Sequence, residues 1–348
     1  MLEGKPQSFC NDCHTLEELG AQSYRQIVNA DYKSELNRLE QTDPSGFLTN
    51  NDIIYLDIRF SNICNLKCRS CNPDSSNSWY EDYKHVHPDS PAGKKTYQVT
   101  VDSKTIFSDI EKRLPSIQKI YFAGGEPLLD ENHYLLLEKL IELGRTDVLL
   151  SYNTNLSRLS FSKWNVLQLW QKFQFVRIGA SLDSIGPSLE LIRKGSNWRE
   201  IQANISQIQE LTPHVVLQIY PTVSVMNCFK MTELIDYFLK QDFFKTTQQF
   251  EINLLNDPDY LNICILNTDE IDQLEKKYDG YISSVRTRAE PGIINHLEAE
   301  LKRVIKFARH QSLNHLRKAF KKYTFTLDQL RSERTVEVVP ELLSVLYE

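Results

Sequence analysis

The sequence predicts an α/β protein built around a partial (β/α)6 barrel, with a helical N-terminal extension and a mostly helical C-terminal extension. Strand-like and helix-like runs alternate between residues 51 and 255, which is typical of a parallel sheet with right-handed crossovers. Short polar or glycine-containing motifs follow five of the predicted strands, at the barrel rim where reactive groups gather. The 348 residues suffice for one large domain with appendages or for two domains.

The predicted elements divide the chain into three regions. Six strand-like runs cover residues 53–60, 118–123, 147–152, 175–182, 215–223 and 249–254. Helix-like runs cover residues 101–114, 133–143, 164–173, 198–211 and 231–239. We therefore expect an N-terminal extension over 1–50, a core over 51–255 and a C-terminal helical extension over 256–348.

Composition narrows the class of protein. A net charge of −6 and a pI near 5.8 give no global case for nucleic-acid binding, so nucleic acid is an unlikely partner. The seven cysteines are an odd number and mostly clustered, which favours metal ligands in a reducing compartment. The N-terminus lacks an apolar signal region and no run approaches 18 apolar residues. We expect no membrane partner and a cytoplasmic location.

Three cysteines follow the first predicted strand within eight residues: Cys64, Cys68 and Cys71. Thiolates hold iron–sulfur clusters, and three of them can bind three irons of a cubane, which leaves the fourth iron open. The alternatives are a zinc loop or three unrelated thiols. A zinc site needs a fourth ligand, for which His85 and His87 are the nearest candidates.

The CxxxCxxC pattern formed by these cysteines resembles the signature of the radical S-adenosylmethionine (SAM) enzymes. The resemblance implies that Cys64, Cys68 and Cys71 hold a [4Fe–4S] cluster and that the amino and carboxylate groups of SAM bind its fourth iron. It further implies reductive cleavage of SAM to a 5′-deoxyadenosyl radical that abstracts hydrogen from a substrate. Ser70 stands where the family often has an aromatic residue near the adenine.

The run Gly124-Gly125-Glu126-Pro127 follows the second predicted strand. Two glycines allow the backbone to pass close to a ligand, and a carboxylate can accept hydrogen bonds from an ammonium group. By itself such a run is a turn. About fifty residues after CxxxCxxC it resembles the family motif that meets the SAM amino group, so the resemblance assigns Gly124, Gly125 and Glu126 to SAM.

Further candidate SAM-binding residues follow the next two strands. Ser181-Leu-Asp183 and Arg193 resemble the corresponding region of enzymes with SPASM or twitch extensions. There the resemblance places Ser181 near the ribose and pairs Arg193 with the SAM carboxylate; an arginine fork suits a carboxylate, although a solvated cation is the plain alternative. Asn153 and Asn155 would bond the ribose or cap a turn.

The opening Cys10-Asn-Asp-Cys13 and the C-terminal phrases resemble the twitch-containing branch of this family. That branch implies an auxiliary iron–sulfur cluster, to which Cys10 and Cys13 supply two ligands at most. Cys228 and Cys264 are further candidates, but free cysteines are usually buried in the core. In a truncated form of such a protein the CxxC pair would hold no cluster.

The resemblance also implies partners and a reaction class. It implies a reducing partner such as flavodoxin or ferredoxin, a peptide or peptide-derived substrate, and oxidoreductase or transferase chemistry. The alternative is a non-catalytic Fe–S and SAM-binding protein with a sensing or regulatory role.

A basic stretch lies in the C-terminal extension. Residues 301–327 contain eight Lys or Arg and no acidic residue. Apolar positions recur there at helical spacing, so we expect helices with their apolar side on the barrel and their charges in water rather than a dedicated surface for anions or peptides.

Overall fold

The computed structural model describes residues 10–18, 20, 23–48, 52–89, 93–97, 103–211 and 213–347. The strands are β1 Tyr55–Ile58, β2 Lys67–Cys68, β3 Lys119–Phe122, β4 Leu149–Thr154, β5 Ser160–Phe161, β6 Trp164–Asn165, β7 Val176–Ala180, β8 Arg193–Lys194, β9 Val215–Ile219, β10 Thr222–Val223 and β11 Asn253–Leu254. The α-helices are α1 Asn11–Glu18, α2 Tyr24–Asp31, α3 Tyr80–Val86, α4 Ser103–Arg113, α5 Glu131–Glu142, α6 Val166–Trp170, α7 Gly186–Ile192, α8 Trp198–Gln209, α9 Met231–Lys240, α10 Thr268–Val285, α11 Pro291–Ala308, α12 Arg317–Arg331, α13 Thr335–Val338 and α14 Leu343–Tyr347.

The central sheet is parallel and follows the order of the chain. Its five strands are arranged β1-β3-β4-β7-β9, and every neighbouring pair is parallel. In β7, Val176 and Ile178 are buried, and helices connect successive strands because parallel neighbours need a long crossover. The fold is therefore the predicted α/β arrangement with helical extensions.

The sixth predicted strand lies beside β9 but is interrupted. The amides of Glu251, Asn253 and Leu255 donate in turn to the carbonyls of Ile219, Pro221 and Val223. Regular strand pairing at this edge is limited to β10 with β11 and to one isolated bridge between Ile219 and Phe250. Pro221 has no amide hydrogen to return a bond, which explains why this edge forms two short pieces.

The N-terminal segment packs on the early strands. Ser23 caps α2 with a capping box that includes Gln26, a pattern that satisfies amides at a helix start. Asp31 at the end of α2 lies 3.6 Å from the ammonium of Lys119 in β3. Lys306 of α11 donates to the carbonyl of Glu18 at 2.9 Å. The N-terminal helices therefore lie between the sheet and the C-terminal extension.

The basic stretch is helical, as predicted, and several of its cations are paired. Arg303 donates to Glu300 at 2.7 Å, and Arg309 contacts Asp272 and Glu275. The apolar side of α11 is buried, including Leu297, Leu301 and Val304. Acidic residues elsewhere in the chain thus neutralise part of this stretch.

No described helix combines the length and the apolar character needed to cross a lipid bilayer.

Candidate functional site

The three-cysteine segment lies at the carboxyl end of β1 and is tied to the β8 strand. Cys68 pairs antiparallel with Arg193, and the Arg69 amide donates to the carbonyl of Ile192 at 2.7 Å. The indole of Trp79 donates to the carbonyl of Cys68 at 2.6 Å. Backbone groups within a buried loop need such partners, so this cysteine loop, residues 61–73, has a defined path.

The three thiols lie close enough to influence one another. Burial raises the pKa of Cys64 to about 12, and the charge of Cys68 adds to this. A hydrogen bond from Cys71 lowers the pKa of Cys68, and the Arg193 cation acts in the same direction. Three neighbouring thiolates repel each other, so a bound cation would be needed to keep all of them ionised.

Nitrogen donors surround the thiols. The Leu66 amide lies 3.4 Å from Cys64 Sγ, and the Asn155 side-chain nitrogen lies 3.9 Å from the same sulfur. Arg193 Nη1 lies 3.8 Å from Cys68 Sγ. Thiolate ligands with N–H donors around them are the environment that tunes an iron–sulfur cluster. The donor set therefore fits the cluster that the family resemblance implies.

Among the described residues, no three His, Cys, Asp or Glu side chains converge on the position of one metal ion. In a cubane cluster each cysteine binds a separate iron, so its ligands do not share one point.

The glycine turn after β3 packs directly on the cysteine loop. The Gly125 amide donates to the carbonyl of Ser61 at 2.9 Å, and the Glu126 amide donates to that of Ile63 at 2.7 Å. A Cβ added at Gly125 would lie 2.2 Å from the Ile63 oxygen, closer than any real contact. Gly124 has φ of +112°, a region that favours glycine. In this structure the close approach is to the chain's own backbone.

Glu126 is buried and its carboxylate accepts several hydrogen bonds. The donors are the Thr154 hydroxyl at 2.7 Å, the Asn155 amide at 2.8 Å and the Leu128 amide at 3.1 Å. Burial raises the pKa of Glu126, although these bonds oppose the rise. The carboxylate therefore links the glycine turn to the end of β4, where Asn155 reaches towards Cys64.

Asp183 and Arg193 form a largely buried pair beside the cysteines. Arg193 Nε lies 2.8 Å from Asp183 Oδ2, and Nη2 donates to Oδ1 at 3.0 Å. Asp183 also accepts the Thr222 amide at 2.9 Å. Burial alone would lower the pKa of Arg193, but Asp183 and then the nearby thiolates together raise it above its ordinary value. Arg193, which was predicted to pair with the SAM carboxylate, thus pairs with a carboxylate of the protein itself. Its guanidinium also lies beside Cys68.

The other two predicted ribose contacts lie on one face of the sheet. Asn153 is in register with Gly179 of β7, and Ser181 follows Gly179 by two residues, so their side chains share a face. Both residues are half-buried. A Cβ at Gly179 would lie 2.6 Å from Asn153 Oδ1, which explains a glycine at that position.

The remaining cysteines lie elsewhere. Cys10 precedes α1 and Cys13 lies within it, both partly buried. Cys228 and Cys264 are fully buried, and the Cys264 thiol donates to the carbonyl of Phe307 at 3.2 Å. The last two therefore pack in the core, as free cysteines usually do.

A cavity of about 910 Å³ lies between the N-terminal helices and the later strands. Arg177, Tyr220 and Glu251 line it, together with Tyr24 of α2 and His296 of α11. Its size is at the upper end of ordinary ligand pockets.

Sequence reasoning missed several residues that shape the site. Thr154 lies between the two predicted asparagines and binds Glu126, so its position at a strand end could have identified it. Asn65 accepts the Asn155 side-chain amide at 3.2 Å. No local pattern predicted the contacts of Arg69 with Asp328 of α12 and with Glu333, which follows that helix, because these partners lie more than 250 residues from Arg69.

Residues 58–226 match the model of the radical SAM superfamily, and the matched segment contains the cysteine loop and the glycine turn. The match covers just under half of the chain. A search among curated proteins returned no match.

Several solved structures are similar to the chain. One, anSMEcpe with bound AdoMet and the Cp18Cys peptide, shares 19% identity at a TM-score of 0.46, over 66% of this chain and 60% of that one. Streptococcus suis SuiB bound to S-adenosylmethionine shares 15% identity at a TM-score of 0.44, over 78% of this chain and 57% of that one. The chain thus spans about 60% of the length of these structures.

Proposed function

We propose that the chain is a radical SAM enzyme. Cys64, Cys68 and Cys71 would hold a [4Fe–4S] cluster, which when loaded with SAM and reduced supplies a 5′-deoxyadenosyl radical for hydrogen abstraction. The observation that carries the proposal is the joining of the cysteine loop to the glycine turn by the amides of Gly125 and Glu126. The match over residues 58–226 supports it.

The residues beside the loop would position SAM. Gly124, Gly125 and Glu126 would lie along its amino group, and Arg193 would share its guanidinium between Asp183 and the SAM carboxylate. Asn153 and Ser181 have half-buried side chains on the same face of the sheet, where they would meet the ribose. Asn155 would position Cys64. A fixed carboxylate such as Glu126 needs little rearrangement to orient a ligand.

The substrate would enter the large cavity lined by Arg177, Tyr220 and Glu251. We propose a peptide or peptide-derived substrate, because the motifs resemble the peptide-modifying branch of the family. The charged and phenolic side chains that line the cavity would bind polar groups of such a chain. A reduced flavodoxin or ferredoxin would supply the electron, and Cys10 with Cys13 would contribute two ligands to any auxiliary cluster.

The test is anaerobic reconstitution with iron and sulfide, followed by incubation with SAM and a reductant. We expect a brown protein that releases methionine and 5′-deoxyadenosine. Cys68→Ala should abolish this release, whereas Cys228→Ala, which changes a buried cysteine outside the loop, should retain it.

Three results would overturn the proposal. A colourless protein with stoichiometric zinc would indicate a structural zinc site. Iron and SAM binding without 5′-deoxyadenosine would indicate a sensor or regulatory protein. Equal SAM cleavage by wild type and Cys68→Ala would show that the loop is not the site.

A further inference from the structure

Arg69, which directly follows the second cysteine of the loop, is held by the far end of the chain. Arg69 is 1% exposed, and its Nη2 donates to Asp328 at 2.5 Å and to Glu333 at 2.7 Å. Asp328 belongs to α12 and Glu333 follows it. Burying a guanidinium is costly unless carboxylates compensate it, so this part of the cysteine loop depends on both acidic residues.

The two carboxylates are themselves fixed. Asp328 accepts the amide and the hydroxyl of Thr335 at 2.8 and 2.7 Å. Glu333 lies 2.8 Å from the ammonium of Lys194 in β8, the strand that pairs with Cys68. Two cations and two anions therefore form one balanced group, with its members on the loop, on β8 and at the end of α12.

A second set of contacts joins the same helix to the same loop. Arg331 lies 2.8 Å from Asp82, which in turn lies 2.9 Å from Lys67. The Arg331 guanidinium also stacks 4.8 Å from the ring centre of Trp79, whose indole donates to the Cys68 carbonyl. These contacts reach the residue before Cys68 and the backbone of Cys68 itself.

A third contact is made to the backbone. The Tyr323 hydroxyl of α12 donates to the carbonyl of Arg69. Tyr323, Asp328 and Glu333 contact Arg69 directly, and Arg331 reaches Lys67 and Cys68 through Asp82 and Trp79. A segment that merely covers apolar surface would not need four polar side chains directed at the cysteine loop and its immediate neighbours.

We propose that Tyr323, Asp328, Arg331 and Glu333 form a C-terminal latch that fixes the cysteine loop in the conformation that retains the cluster. The inference rests on the proposed function, since it assumes that the loop holds iron. Residues that orient metal ligands from outside the coordination sphere change metal affinity strongly when altered. In the latch these are positioning residues, because they act through Arg69 and Trp79.

The test compares Asp328→Asn combined with Glu333→Gln against Glu270→Gln. Glu270 is a matched control because it is also a buried carboxylate, paired with Arg317 at the other end of α12. Its side chain accepts the Asn267 amide in the capping box of α10, a role that glutamine can keep. Reconstituted proteins are challenged anaerobically with an iron chelator, and loss of cluster absorbance is followed. We expect iron loss about tenfold faster in the latch variant and nearly unchanged in the control. Urea unfolding of the iron-free proteins measures general stability.

Equal rates of iron loss in wild type and latch variant would overturn the inference, as would an equal acceleration in Glu270→Gln. If the double variant does not fold, Tyr323→Phe decides, because it removes only the hydroxyl that binds the Arg69 carbonyl: faster iron loss supports the latch and an unchanged rate overturns it. A wild-type protein that takes up no iron at all would remove the proposed function, and the latch with it.

Discussion

The chain has two groups of closely spaced cysteines, and their surroundings differ. Around Cys64, Cys68 and Cys71, amides, an indole, an arginine and an asparagine all have defined partners. Cys10 and Cys13 lie at the start of an eight-residue helix and are partly buried. Spacing alone identifies both groups as metal-ligand candidates. The packed donors around the loop make the first group the stronger candidate for the proposed cluster site.

The largest expected difference between the two groups is in bound iron. Because Cys68 lies at the centre of the loop, Cys68→Ala should lose nearly all iron after anaerobic reconstitution. Cys13→Ala should keep about four irons per chain, the content of one cubane cluster. Iron and sulfide analysis measures both variants.

A different iron count would change the conclusion about the two cysteine groups. If wild type holds about eight irons and Cys13→Ala about four, the N-terminal pair ligates an auxiliary cluster. The two cysteine groups would then be alike in function in spite of their different surroundings.

The second difference concerns two glutamates, Glu126 beside the loop and Glu17 in α1. Both accept hydrogen bonds, but burial raises the pKa of Glu126, whereas the bond from Ser23 lowers the pKa of Glu17. Glu126→Ala leaves three buried donors without an acceptor and should lower the free energy of unfolding by about 3 kcal/mol or more.

Glu17→Ala serves as the control, because water can replace its carboxylate. Urea unfolding of both iron-free variants checks the difference. A loss in Glu17→Ala as large as that in Glu126→Ala would contradict the contrast between the two regions.

The third prediction concerns pH. Burial lowers the pKa of His133 in α5 to about 3, against about 6.5 in an unfolded chain. Between these values the unfolded state binds the proton and the folded state does not, so the free energy of unfolding should fall with acidification. The contribution is at most about 1.4 kcal/mol per pH unit, ending near pH 3.

Unfolding of the iron-free protein in urea between pH 4 and 7 measures this slope. His133→Gln should flatten it, although losing the bond to the Tyr152 hydroxyl would also lower stability at every pH. An identical slope in wild type and His133→Gln would show that His133 is not the source of this pH dependence.

The smallest effect is expected from Arg25, which contacts Glu17 on the surface of the N-terminal segment. Its side chain is 43% exposed, so water screens the pair. Arg25→Gln should leave the urea midpoint within replicate error. A clear fall in the urea midpoint would show that the stability of the N-terminal segment depends on its ion pairs, as the cysteine loop depends on those of Arg69.

Local patterns predicted the individual strands and the cysteine loop, because each of these segments is formed by residues close in sequence. The strand before Cys64 and the turn at Gly124 lie where the alternation placed them. The interruption at Pro221 was harder to predict. It depends on which neighbouring strand would accept a hydrogen bond from the amide that proline lacks. The prediction that Arg193 serves SAM did not anticipate its pairing with Asp183, since the charge balance of a buried pair depends on packing. The partners of Arg69 could not be predicted at all, because no local pattern links a loop residue to carboxylates so distant in sequence.

The separation between Arg69 and its partners has a consequence for synthesis. Asp328 follows Arg69 by 259 residues, so at about 5–20 residues per second the ribosome adds it roughly 10–50 s later. During that interval the cysteine loop has been synthesised, but the two carboxylates that compensate the buried Arg69 have not. Insertion of the proposed cluster is therefore expected to follow translation rather than accompany it.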